Sequence, residues 1–84
     1  MRQKEKSNQF AIFLYNARLE RGWSLREAGM RTGLEPSYIN RLERGKRINP
    51  SVSTIQSLAV AFQVEMIDLA ELVLQTLEKE KNNH

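Results

Sequence analysis

Residues 24–45 read SLREAGMRTGLEPSYINRLERG. The stretch parses as two short helices joined by a tight turn at Thr32-Gly33-Leu34-Glu35, where Gly33 can take a positive φ at no steric cost. Ser24 is a good N-cap for the first of the two helices. Glu27, three residues on, nearly completes a capping box. Pro36 suits the first position of the second helix, where its missing N–H has no intrahelical use.

At 100° per residue, Ile39, Leu42 and Glu43 fall on one side of the second helix. Ser37, Asn40, Arg41 and Arg44 fall on the other. The outward side thus carries two guanidinium groups, an amide and a hydroxyl, and no large apolar group. That combination can read base edges and hold phosphates.

Outward from this stretch, the chain is 84 residues with a net charge of +3 and no Cys. The length allows one small domain with one modest core, and at this size oligomerisation often adds stability. Without Cys there is neither a disulfide framework nor a thiolate metal site. No apolar run is long enough to span a bilayer, and MRQKEKSNQF lacks the apolar segment of a signal peptide. The charge is unevenly placed. Residues 21–50 hold seven Arg and Lys against three Glu, a net +4, while residues 51–84 net −3. A basic patch backed by acidic residues is the electrostatic footprint of a nucleic-acid binder, although a solvated surface with chance clustering gives the same sums. Enzymatic chemistry finds no support: there is no nucleophile–base pair, metal-ligand cluster or Gly-rich phosphate loop, and the lone His84 is in the tail.

Residues 1–7 form a polar, charged arm expected to be flexible, or else to touch DNA as a basic arm. A first helix is expected from Asn8 to Arg21, capped by Ser7 or Asn8 and ended by Gly22. Its core stripe is Phe10, Phe13, Leu14 and Ala17. Ile12, Tyr15 and Leu19 form a second apolar stripe opposite the first, to be covered either by the C-terminal helix or by a second subunit. Trp23 is expected in the core rather than as a base-stacking platform. Helix two spans Leu25 to Arg31, with Gly29 costing up to about 1 kcal/mol of helix stability relative to Ala. After the next helix comes a basic loop, Gly45 to Pro50, in which Lys46, Arg47 and Asn49 are natural phosphate ligands. A fourth helix is capped by Ser51 or Ser53 and turns Thr54, Ile55, Leu58, Ala59 and Phe62 inward, with Val64 packing at its end. A fifth runs from Glu65 to about Lys79. Its stripe of Met66, Leu69, Ala70, Val73 and Leu77, widened by Ile67 and Leu74, is too wide for one small core to bury easily and reads as a homodimer surface, the alternative being a return onto Ile12, Tyr15 and Leu19.

The chain resembles the Cro/phage-repressor (Xre-type) helix-turn-helix proteins of bacteria and phages. The likeness rests on Arg18, Gly22-Trp23-Ser24, Gly29, Gly33-Leu34, Ser37-Tyr38-Ile39, Leu42-Glu43-Arg44-Gly45-Lys46-Arg47, Asn49-Pro50-Ser51, Thr54-Ile55, Leu58-Ala59, Ala61-Phe62 and Val64, and it spans Phe10 to Leu69. It implies an all-α, five-helix lambda-repressor-like DNA-binding domain over residues 8–79. The helix-turn-helix would lie at helices two and three, with an extended C-terminal helix and a tail at 80–84. It also implies an ion pair between Arg18 and Glu43, which suits a carboxylate lying beside core-facing residues. The sequence departs from the family at Ala28, where a larger apolar residue is usual, at Gly29, where Ala is usual, and at Leu25, where many members carry a phosphate-gripping Gln.

The function so implied is a sequence-specific double-stranded DNA-binding transcriptional regulator, with repression as the expected mode. It would act as a homodimer on a roughly palindromic operator, in the cytoplasm and on the nucleoid, without a cofactor, metal or membrane. Base contacts are expected from Pro36, Ser37, Asn40 and Arg41. Phosphate contacts are expected from Ser24, Arg26, Arg44, Lys46, Arg47 and Asn49. The rival reading is a helix-turn-helix interaction module, such as an antitoxin, that binds an unidentified partner protein.

Overall fold

The computed structural model describes residues 8–82. The expected arm at 1–7 and residues 83 and 84 of the expected tail lie outside the described residues. Five helices follow one another: α1 Gln9–Glu20, α2 Leu25–Thr32, α3 Pro36–Glu43, α4 Val52–Phe62 and α5 Met66–Asn82. There is no strand among the described residues.

Short polar side chains start three of these helices. Asn8 accepts from the Ala11 N–H at 2.7 Å, Ser24 from the Glu27 N–H at 3.0 Å and Ser51 from the Thr54 N–H at 3.1 Å. Each satisfies a backbone donor that the first turn leaves open. The capping box at Ser24 is only half made, because Glu27 turns its carboxylate along the helix to the Arg31 guanidinium, 2.7 Å away. α2 stops where Gly33 takes φ 77°, ψ 12°, and the Gly33 N–H closes on the Gly29 carbonyl at 2.8 Å. A side chain at that φ would be strained, so the turn between α2 and α3 depends on glycine here. Thr32 tightens the same corner. Its hydroxyl donates to the Ala28 carbonyl at 2.8 Å and accepts from the Leu34 N–H at 3.1 Å.

One apolar cluster holds four of the helices together. Phe10, Leu14 and Ala17 of α1 meet Leu42 of α3, then Ile55, Leu58, Ala59 and Phe62 of α4, and Leu69 and Val73 of α5. Half-buried Trp23 packs on Phe62 with ring centroids 5.2 Å apart, as expected of a residue belonging to the core. Arg21 bridges two helix ends, donating to the Ala17 carbonyl of α1 and the Phe62 carbonyl of α4, each at 2.8 Å. Cationic donors at helix C-termini offset the partial negative charge of the open carbonyls.

The structure corrects the expectation for α5. Leu69 and Val73 do not form a dimer surface: at 0% and 5% exposure they lie inside this chain's own core, with Met66 and Leu77 packed against it and Ala70 half-buried. The physical reason is that α5 folds back against both α1 and α4 and brings its stripe with it. The apolar groups it leaves outward are Ile67 and Leu74. Neither does α5 cover the second stripe of α1. Ile12, Tyr15 and Leu19 remain 40–49% exposed, because α5 packs on the face that carries Phe10 and Leu14. No helix among the described residues is long and apolar enough to cross a membrane.

Candidate nucleic-acid interface

The sidedness of α3 decides what this region can do. Ile39 and Leu42 are 2% and 0% exposed, while Pro36, Ser37, Arg41 and Arg44 are exposed and Asn40 is half-buried. An eight-residue helix has little intrinsic stability. α3 holds its form because its aliphatic side is fixed to the body and its N-terminus is fixed by Pro36.

Arg18 of α1 locks the far end. Its Nε donates to Glu43 Oε2 at 2.6 Å and its Nη2 to Glu43 Oε1 at 3.0 Å, a bidentate pair. A third donor, Nη1, reaches the Trp23 carbonyl at 2.9 Å. The two side chains are only 11% and 4% exposed, so each charge needs the other. The hydrogen bond to Glu43 holds the Arg18 pKa above its ordinary value, against the opposing effect of burial. One guanidinium therefore joins α1, the corner before α2 and the end of α3.

The near end of α3 is set by contact with α2. A Cβ built on Gly29 would stand 2.9 Å from the Leu34 carbonyl oxygen and 3.0 Å from Pro36 Cγ. Glycine lets the first turn of α3 lie directly on α2. The departure from the usual Ala at this position thus has a tertiary cause, which a helix propensity cannot show.

Beyond α3 the chain folds back. Gly45 takes φ 75°, and the Lys46 and Arg47 N–H groups both close on the Arg41 carbonyl, at 2.9 and 3.2 Å. This return carries Arg47 to the same aromatic ring as Arg41. Both guanidinium carbons lie over Tyr38, each 5.9 Å from the ring centroid. Lys46, Arg47 and Asn49 are exposed along the loop, and buried Pro50 ends it. On α2, Arg26 is exposed, while the Ser24 hydroxyl is engaged as a cap and leaves only its own proton to donate outward.

The structure therefore brings Arg41 and Arg47 to one ring, joins Arg18 to Glu43, and leaves the expected contact residues from Pro36 to Asn49 on exposed or half-buried positions. Sequence reasoning missed Tyr38 as part of this surface, although its i,i+3 spacing from Arg41 places the two side chains together on one helix.

A helix-turn-helix family profile matches residues 14–69. The HTH-type transcriptional regulator SlrR of Bacillus subtilis is 31% identical over 68 residues, covering 81% of this chain and 43% of SlrR. The HTH-type transcriptional regulator DdrOP3 of Deinococcus deserti is 40% identical over 58 residues, covering 69% of this chain and 44% of that protein. The chain spans about half the length of the curated relatives it matches. Among solved structures, SinR, a master regulator for biofilm formation captured in complex with DNA, superposes with a TM-score of 0.68 at 26% identity, covering 74% of this chain and 98% of that one. The restriction-modification controller protein C.AhdI from Aeromonas hydrophila gives 0.65 at 35% identity, covering 71% and 89%.

Proposed function

The chain belongs to the helix-turn-helix family, and from that premise we propose that it is a sequence-specific double-stranded DNA-binding transcriptional regulator. Its mode is repression and its seat the cytoplasm, on the nucleoid. α3 enters the major groove. Arg41 pairs with the O6/N7 edge of a guanine, Ser37 and Asn40 contact neighbouring base edges, and Pro36 touches a thymine methyl. Arg26, Arg44, Lys46, Arg47, Asn49 and the N-terminus of α2 at Ser24 hold phosphates. The observation that carries this reading is the outward side of α3, which presents Ser37, Arg41 and Arg44 while its one carboxylate, Glu43, is turned inward onto Arg18.

The working unit is a homodimer on a roughly palindromic site, its two α3 helices about 34–36 Å apart. With Leu69 and Val73 committed to the core, the self-association surface on α5 is the outward pair Ile67 and Leu74, 71% and 60% exposed and two helical turns apart. The exposed stripe of Ile12, Tyr15 and Leu19 favours a second reading, a module that docks on another protein. Size-exclusion chromatography of the pure chain separates the two, since a tight self-dimer supports the first.

The test is selection from random duplex DNA, with binding of the enriched sequence measured at two salt concentrations. The expected outcome is an enriched, roughly palindromic motif bound at least 10³-fold more tightly than random duplex. Equal affinity for enriched and random duplex would overturn the proposal.

A further inference from the structure

Two arginines rest over one ring at the edge of the proposed groove-facing surface. We infer that Tyr38 is a positioning residue for duplex recognition, an aromatic platform that holds both Arg41 and Arg47 before any ligand arrives. This rests on α3 being the element that reads the groove, and it assigns a role to a residue that touches neither base nor phosphate.

Two features of the backbone make the arrangement specific to this ring. Tyr38 is half-buried and packed against the core cluster, so its position is fixed by the body of the protein rather than by its own rotamers. Arg47 arrives because the loop returns, its N–H and that of Lys46 both closed on the Arg41 carbonyl. The two guanidinium carbons then lie 5.9 Å from the ring centroid. That is within reach of a cation–π attraction.

The chemistry gives this placement a use. A free Arg side chain samples many rotamers, and a ligand that captures it must order it. Two like charges drawn to one ring also repel, and the ring's negative π-faces offset that repulsion. With the ring in place, one arm is held toward a base and the other toward the backbone of the same half-site. Without it, both must be ordered at binding.

Replacing the ring separates this role from mere packing. Y38F keeps the aromatic face; Y38L keeps apolar bulk and removes the face. Each variant is first checked by thermal melting, and V73A serves as a control that lowers stability without touching the surface. Y38L is expected to bind the duplex enriched from a random pool roughly tenfold more weakly, as the cost of ordering two Arg side chains at binding implies. Y38F should bind as the unaltered chain does. In the free protein, the Arg41 and Arg47 δ-proton resonances should be ring-current shifted in the unaltered chain and in Y38F, and unshifted in Y38L. Wild-type affinity in Y38L, weakening in Y38F equal to that in Y38L, or the same weakening in V73A would each overturn the platform and leave the groove reading standing. Failure of the unaltered chain to prefer any duplex would overturn the groove reading and this inference with it.

Discussion

Gly29→Ala tests whether local propensity or tertiary contact governs the approach of α3 to α2. By propensity alone the change should help, since Ala is favoured over Gly in a helix interior by about 1 kcal/mol. The structure predicts the opposite sign. The added Cβ would lie 2.9 Å from the Leu34 carbonyl oxygen, and 3.0 and 3.2 Å from Pro36 Cγ and Cδ. Carbon–carbon contacts are comfortable only at about 3.5–4.0 Å. Neither neighbour is a flexible tip: one is backbone and the other a closed ring. The turn that carries them is pinned, moreover, by the Gly33 N–H on the Gly29 carbonyl at 2.8 Å and the Leu34 N–H on the Thr32 hydroxyl at 3.1 Å. Overpacking of this kind costs about 1–3 kcal/mol, which outweighs the propensity gain and leaves a net loss of roughly 1 kcal/mol. For a chain of this size that lowers Tm by about 4–8 °C. Thermal melting followed by circular dichroism reads it directly. In a P36A background the cost of G29A should be smaller, because one of the two obstacles is gone. A Tm for G29A equal to or above that of the unaltered chain would refute the reasoning and return the position to simple helix propensity.

The remaining predictions concern the ion pair, the base and phosphate contacts, and α5. Glu43→Gln leaves the Arg18 guanidinium buried without its counter-charge and should destabilise the fold by about 3–5 kcal/mol, measurable by urea unfolding. Arg41→Ala should cost roughly 1–3 kcal/mol on the selected duplex and relax one base position, read by competition with single-base variants of the site. Lys46→Ala should instead weaken enriched and random duplex alike and flatten the slope of log affinity against log salt by about one. On α5, Leu69→Ala should destabilise the chain itself by about 2–5 kcal/mol. Leu74→Asp should leave Tm at low protein concentration nearly unchanged while abolishing self-association in sedimentation or size-exclusion measurements.

The sidedness of α3 was legible because three signals coincide between Gly33 and Gly45: Pro36 at the start, the two glycines at the borders, and an apolar side at helical spacing that ends on a carboxylate. Local chemistry likewise located the cap at Ser24 and narrowed two others to a pair each, Ser7 or Asn8 and Ser51 or Ser53, of which Asn8 and Ser51 serve. Much of what failed depended on which element lies against which, although the Arg18–Glu43 pair, which the resemblance implied, also joins two helices. Periodicity shows that α5 has an apolar side, but the same stripe suits a partner subunit and a fold-back, and only the packing of α5 on α1 and α4 decides between them. Gly29 reads as a weakness from propensity and as a fitted contact once Leu34 and Pro36 are placed beside it. Glu27 was expected to reach back to the cap, yet a cation one turn ahead, Arg31, takes it instead. Tyr38 stood in plain view within the motif, but its partnership with Arg47 depends on the loop reversing at Gly45, a three-dimensional fact.

The pairing of the first helix with the last has a consequence for how the chain is made. Phe10 and Leu14 are 1% exposed in the finished protein, and their cover includes Leu69 and Val73, some sixty residues downstream. A ribosome adds about 5–20 residues per second, so those early side chains wait several seconds for the segment that shelters them. Until it emerges, the nascent chain presents a greasy N-terminal helix to whatever is nearby, and any interruption of translation before Val73 yields a product with its core left open.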